Sequence, residues 1–228
     1  MCPHPPLLVP AVASGARDLD ELRAGCAEAV QRLIAASPDM ICIVGGGTDE
    51  QWYDDGAVGS FRSYGVALDV PLGDCGHAEP TLPLSLTVGA WLLRSAGWAG
   101  RRRALAVSGD APDDDLVRLA TQITGLAPAV GLLVMGDGSA RRTEKAPGYV
   151  DPRAAGFDAA VVTALAGADT AALAGLDRQL GGALLAAGIT AWRFLGQATA
   201  GASWDAALLA DLAPYGVGYF VATWARRR

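Results

Sequence analysis

Three short, continuous apolar runs are the clearest pattern along the chain, at positions 40–44, 104–107 and 130–135. Each run has the length of a strand and shows no polar face, which is typical of parallel strands that are buried on both sides. An apolar stretch at 7–12, an alternating stretch at 66–72 and an apolar stretch at 219–224 complete the predicted strands.

Apolar residues at helical spacing mark most of the segments between these runs. In the segment 17–37 they recur every three or four positions, until Pro38 ends the predicted helix. The segment 113–124 begins with three aspartates, which suit the positive end of a helix dipole. The other predicted helices span 81–98, 152–166, 170–176, 178–187 and 204–212.

The order of these elements predicts the fold class. Strands alternate with helices, which indicates right-handed crossovers and a mostly parallel central sheet flanked by helices. No linker, low-complexity stretch or fixed-period repeat divides residues 1–228. We therefore expect an α/β fold in a single domain that spans the whole chain.

Three of the predicted strands end in glycine-rich loops that contain aspartate. The loops are GGGTD at 45–49, SGD at 108–110 and GDGS at 136–139. Because the carboxyl ends of parallel strands meet at one edge of a sheet, the loops should line a common crevice, where α/β proteins bind ligands. The stretch 133–158, which contains the third loop, is the predicted wall of that crevice.

The composition narrows the classes of function. The formal net charge is −6, with 51% hydrophobic and 18% charged residues, which fits a globular protein and disfavours nucleic-acid binding. The longest apolar run, 127–135, is too short to span a membrane, and the first residues lack a signal-peptide pattern. The four cysteines form no CxxC pair, so we expect free thiols in a cytoplasmic protein. The expected partner is a small molecule, with self-association left open.

Acidic residues in the three loops are the first candidates for chemistry. Asp49, Asp110 and Asp137 could converge as a carboxylate cluster that binds a divalent cation. Alternatively, each carboxylate caps the following helix or braces its own loop. The GDGSARR segment could also hold an anion through backbone N–H groups and Arg141 or Arg142, although it lacks the lysine and the spacing of a P-loop.

The chain has only two histidines, His4 and His77. His4 lies between prolines, whose stiff backbone would hold it as a ligand or hydrogen-bonding group; the alternative is a surface histidine at a frayed terminus. His77 precedes a predicted helix, and the alternative for it is a loop histidine satisfied by the backbone. With Glu79, the two histidines could supply an iron(II) facial triad.

The segments CPHPPLLVP at the start, LVMGDGSARRTEKAPGYVDPRAAGFD in the second half and PYGVGYFVA near the end together resemble the class III extradiol ring-cleavage dioxygenase family. The resemblance covers nearly the whole chain and points to the small stand-alone members, as opposed to the two-subunit enzymes. It implies an α/β fold with a non-haem iron(II) held by two histidines and a glutamate at the strand ends. In the family a catecholate chelates the iron, and a further histidine acts as acid and base during ring opening.

Carried over residue by residue, the resemblance implies that most of the family's catalytic groups are missing. His4 matches the first iron histidine, whereas the second falls on Gly46 and the acid/base histidine falls on Ala140. No carboxylate in the segment 180–188 matches the glutamate. His77 matches a histidine that contacts substrate or oxygen in the family. Because glycine and alanine can neither ligate a metal nor transfer a proton, both iron affinity and rate should fall.

We therefore predict a protein of this fold whose metal and acid/base residues are largely lost, and which acts as a small-molecule-binding protein or pseudoenzyme. His4 is the one retained metal ligand, His77 and Asp137 are the candidate catalytic residues, and iron(II) is not expected to bind in the family manner. One alternative is a divergent metal-dependent iron dioxygenase, or another metalloenzyme, that acts on an aromatic or related small molecule through His4, His77 and nearby acids. Another is a structural protein whose crevice is packed shut. The predicted crevice lining consists of His4, Gly46, Asp49, His77, Asp110, Asp137, Ser139 and Arg141.

Overall fold

A computed structural model describes residues 1–74 and 79–227 of the chain. Within these residues, eight strands form a four-stranded central sheet in the order β2-β5-β1-β6 and two hairpins, β3-β4 and β7-β8. The strands are β1 (Met40–Gly47), β2 (Gln51–Tyr53), β3 (Val58–Ser60), β4 (Asp69–Pro71), β5 (Arg101–Ser108), β6 (Val130–Met135), β7 (Trp204–Leu212) and β8 (Tyr219–Arg226).

Three strands of the central sheet are parallel, and the edge strand β2 runs antiparallel to β5. The sheet is therefore mixed. The helices that flank it are α1 (Asp20–Ala35), α2 (Leu84–Ser95), α3 (Asp113–Thr124), α4 (Arg153–Gly167), α5 (Thr170–Ala174), α6 (Arg178–Ala183) and α7 (Ile189–Thr199).

Alternate residues of each parallel strand face opposite helical layers. Ile41 and Ile43 of β1 join the buried cluster under α1 and α2, whereas Cys42 and Val44 join the cluster under α3. Both sides of these strands are therefore apolar, as the period of two along a strand requires when helices cover both faces. This arrangement gives a single-domain α/β fold with helices on both sides of the sheet.

The first two residues join the β7-β8 hairpin to the central sheet. Cys2 pairs in parallel with Met135 of β6. On its other side, Met1 exchanges two backbone hydrogen bonds with Ala222 of β8. The chain start therefore lies between β6 and β8, and it leads directly into His4 at the carboxyl edge of the sheet.

Most of the predicted elements are confirmed. The segments 113–124 and 130–135 coincide with α3 and β6, and the predicted strands at 40–44 and 104–107 lie within β1 and β5. The parallel arrangement of β1, β5 and β6 is also confirmed, so the three glycine-rich loops do follow strands that end at one edge. Within the described residues, no helix is long and apolar enough to cross a membrane.

Two predicted elements are wrong. The segment 7–12 is not a strand, because the prolines around it fix turn-like dihedrals and Pro6–Leu8 forms one turn of 3-10 helix. The segment 204–212 is not a helix but β7, which pairs along its length with β8 and has an irregularity between Leu208 and Ala210. Its alanines and leucines favour a helix locally, and pairing with a neighbouring strand overrides that preference.

Helix α7 and the short strands β2 and β3 were not predicted. Eight residues of α7 are buried, including Trp192 and Arg193, so the helix lacks the exposed polar face on which helical periodicity depends. The two strands have three residues each, too few to show an alternating pattern.

Candidate functional site

His4 and Asp137 meet at the carboxyl edge of the central sheet. The backbone N–H of His4 donates to Oδ1 of Asp137 at 2.6 Å, and the imidazole Nδ1 lies 3.6 Å from the same oxygen. Only 10% of the His4 side chain and 14% of the Asp137 side chain are exposed. The Nδ1 atom of His4 is buried and has no hydrogen-bond partner among the described residues. An imidazole in this state has hydrogen-bonding capacity that the described protein does not use.

Burial dominates the electrostatics of Asp137. It raises the pKa of the carboxyl above its ordinary value, while the nearby His4 imidazole and the His4 backbone N–H act in the opposite direction. Within the described part of the chain, no arginine or lysine forms an ion pair with this carboxyl. The pair is therefore a partly desolvated acid beside an imidazole, an arrangement that suits hydrogen bonding to a ligand or proton exchange with one.

A second buried carboxyl holds the loop that carries Asp137. Asp158 on α4 accepts hydrogen bonds from the backbone N–H of Ser139 (2.8 Å), from the Ser139 hydroxyl (2.8 Å) and from Arg142 (3.1 Å). Both Asp158 and Ser139 are fully buried. Burial raises the pKa of Asp158, and these three donors counteract it. Ser139, predicted to line the crevice, thus directs its hydroxyl into the protein and fixes the loop.

Glycines bring the other walls close to the pair. The backbone N–H of Gly188 donates to the carbonyl of Asp137 at 2.8 Å. A Cβ atom on Gly188 would lie 2.5 Å from the Trp192 ring, so the turn before α7 approaches closely because it has no side chain there. Gly46 at the end of β1 faces the same turn, since a Cβ on it would lie 3.5 Å from the carbonyl of Ala187.

Other predicted lining residues lie apart from the pair or outside the described chain. Asp49 and Asp110 are exposed in loops after β1 and β5, and Glu79 is exposed. The aliphatic part of the half-buried Arg141 lies beside Gly148. His77 lies outside the described residues, so its predicted role stays a prediction.

The described residues do not form the iron site that the family resemblance implies. Among them, no group of three or more histidine, cysteine, aspartate or glutamate side chains could hold a metal ion. The predicted cation cluster of Asp49, Asp110 and Asp137 is therefore wrong. The Ala140 N–H donates to the carbonyl of Leu184, so the position of the family's acid/base histidine carries a methyl group held by a backbone bond.

Two contributors to this site were not predicted from the sequence. Asp158 lies within the stretch chosen as the crevice wall, but nothing local indicates that its side chain folds back onto Ser139. Gly188 follows two alanines in a segment without any polar signal. A glycine immediately before a helix is the one available cue, and it does not tell which backbone approaches it.

Two cavities of the described structure lie elsewhere. The larger, of about 540 Å³, opens on the surface beside α4 and α5 and is lined by residues such as Ala160, Thr163 and Ala172. The smaller, of about 110 Å³, lies between α1 and α2 near Arg23 and Trp91. Neither borders the His4–Asp137 pair. The functional hypothesis at the strand ends therefore rests on the polar pair and not on a cavity.

No protein-family model matches the sequence, and no curated protein is significantly similar to it. Among solved structures, the uncharacterized protein JW3007 from Escherichia coli K12 is similar in fold, with a TM-score of 0.49 and 13% sequence identity. The alignment covers 87% of this chain and 91% of that chain. A likeness of this size does not identify a family.

Proposed function

We propose that this chain is a small-molecule-binding protein of extradiol dioxygenase-like architecture, which binds its ligand at the His4–Asp137 pair and does not cleave aromatic rings. The observation that carries the proposal is the buried His4 imidazole, whose Nδ1 has no hydrogen-bond partner among the described residues and lies beside a desolvated carboxyl. The pair lies where parallel α/β sheets bind ligands.

The energetics of the pair favour a functional role over a structural one. Burying an acid and an imidazole costs solvation free energy, and a protein recovers that cost only when both groups are fully hydrogen-bonded. Asp158, with three donors, meets this condition. His4 does not meet it within the described residues. Local rules are broken in this way most often at functional sites.

The residues also argue against ring cleavage. That reaction needs a metal bound by several side chains and a group that transfers protons. The two family positions that would supply imidazoles are Gly46 and Ala140, whose side chains offer neither a lone pair nor an exchangeable proton. The resemblance then indicates the class of ligand, a small hydroxylated aromatic molecule, without its reaction.

Equilibrium titration with 4-nitrocatechol, a coloured catechol, tests the proposal. Wild-type protein in excess chelator should bind the probe, and His4→Ala should bind it about 10- to 100-fold more weakly, because a hydrogen bond to a charged or ionisable group is lost. The Asp211→Asn variant is the matched control, since Asp211 is exposed on β7. Its affinity should equal that of the wild type.

Metal analysis and oxygen consumption decide between this proposal and the metalloenzyme alternative. Protein purified without chelator and then supplied with iron(II) should retain less than stoichiometric iron and consume no oxygen with the probe. Stoichiometric iron that is lost in His4→Ala, together with bleaching of the probe, would overturn the binding-protein proposal in favour of a metal-dependent oxygenase.

A further inference from the structure

The backbone pairing of the first two residues sets which strands flank His4. Met1 donates to the carbonyl of Ala222 at 2.7 Å, and the Ala222 N–H donates back to Met1 at 3.2 Å. A pair of residues that exchanges both bonds is a hydrogen-bonded pair of an antiparallel ladder. On the other side, Cys2 lies opposite Met135 in a parallel pairing.

Continuing both registers places His4 between two polar residues. In the parallel pairing, a step of two residues from Cys2 and Met135 leads to His4 and Asp137, and the 2.6 Å hydrogen bond between them confirms the step. In the antiparallel pairing, a step of three residues from Met1 and Ala222 leads to His4 and Tyr219. Tyr219 is thus the neighbour of His4 on the side opposite to Asp137.

The core clusters support this register. Residues opposite each other in a ladder point to the same face of the sheet, and the face alternates along each strand. Met1 and Ala222 both pack in the cluster under α4 and α7, whereas Cys2 packs in the cluster under α1 and α2. Tyr219 belongs to the same cluster as Cys2. This matches the face expected two residues further along the chain, the face of His4.

The environment of Tyr219 keeps its hydroxyl protonated. The residue is only 4% exposed. Burial raises the pKa of the phenol well above its ordinary value, and the Asp137 carboxyl raises it further. The phenol therefore lies within electrostatic reach of Asp137, and at neutral pH it retains the proton with which it can donate a hydrogen bond.

We propose that Tyr219 is the third polar group of the site, and that it stabilises a ligand oxyanion by donating its phenolic O–H to the oxygen whose proton passes to His4. This inference rests on the proposed binding function. In the transfer, the ligand O–H bond breaks, an N–H bond forms on the His4 imidazole, and the resulting imidazolium lies beside Asp137. The preferred ligand class is an acidic phenol or enol.

The visible spectrum of 4-nitrocatechol tests this role because the neutral and anionic forms of the probe differ in colour. Bound to the wild type, the probe should be anionic at a pH where the free probe is neutral. In Tyr219→Phe, the affinity for the anion should fall about 10- to 100-fold, and the pKa of the bound probe should return toward the value in solution. Tyr215→Phe is the matched control, because Tyr215 is half-buried in the turn just before β8, and it should change neither quantity.

The outcomes separate the two proposals. If the wild type and Tyr219→Phe bind the anion equally while His4→Ala does not bind, Tyr219 is not a site residue, but the binding function stands. If the wild type does not bind the probe, both proposals fail. Should Tyr219→Phe not fold, ring-carbon NMR of tyrosine-labelled wild type gives the answer: the Tyr219 resonance should shift at saturation, and an unchanged resonance overturns the inference.

Discussion

Replacing Asp137 by asparagine should stabilise the protein at neutral pH, although the residue is largely buried. Burial holds the pKa of Asp137 above its ordinary value, so the native state binds the proton more tightly than the unfolded chain does. Stability is therefore unaffected by this group below its unfolded pKa and falls as pH rises toward the folded pKa. Above the folded pKa the whole penalty is present. Asparagine cannot ionise, and its Oδ1 can still accept the His4 N–H.

The expected gain in unfolding free energy is on the order of 0.5–2 kcal/mol, the range typical of substitutions that remove a functional group from a strained site. The 14% exposure of the side chain and the adjacent His4 place the gain toward the lower end, because both reduce the cost of the charge. For a chain of this length, each kcal/mol corresponds to about 2–4 °C in Tm.

Urea unfolding of the wild type and Asp137→Asn between pH 4 and pH 8 measures the effect. The difference in unfolding free energy should be close to zero at the acid end and should grow as pH rises. Asp211→Asn, which alters an exposed carboxylate on β7, should show no comparable rise. A variant that is less stable than the wild type at pH 8, or a difference that does not depend on pH, would refute the reasoning.

Three further substitutions test the packing around the site by urea unfolding. Asp158→Ala should cost about 3–5 kcal/mol, because it leaves a buried serine donor and an arginine without their acceptor; a cost below 1 kcal/mol would contradict this network. Gly188→Ala should cost about 1–3 kcal/mol, since its Cβ would lie 2.5 Å from the Trp192 ring, whereas Gly109→Ala, with nothing within 4 Å, should not destabilise. Equal effects of the two would exclude close approach as the cause. Leu185→Gly should gain up to about 1 kcal/mol, because Leu185 is half-exposed at φ 55°, and a loss would show that its side chain packs.

The central sheet could be predicted because burial on both faces leaves a local trace. The apolar runs of β1, β5 and β6 have no polar face, and each stops where glycine and aspartate begin. The hairpin could not be predicted in the same way. β7 is mostly half-buried or exposed, so its composition of alanine and leucine gave the wrong element. Its strand conformation depends on pairing with β8, which is a tertiary effect.

The members of the candidate site could be predicted better than their arrangement. His4 and Asp137 are both conspicuous in the sequence, one between prolines and the other between glycines. Their contact joins residues 133 positions apart and depends on the register of a two-residue strand segment. So short a segment has no periodicity of its own. Tyr219 shows the same limit, because the pattern of β8 predicts a strand without indicating the strand beside it.

The prolines around His4 explain how that register is specified. Proline has no backbone N–H, so Pro3 and Pro5 cannot donate to Asp137, and His4 is the one donor in the segment 3–5. A slip of one residue in either direction would place a proline opposite the Asp137 carboxyl and leave a partly desolvated acid without its backbone donor. The slip would also turn Cys2 from its buried cluster to the opposite face of the sheet. The proline–histidine–proline sequence therefore both presents the imidazole and selects the single register in which Asp137 can hold it.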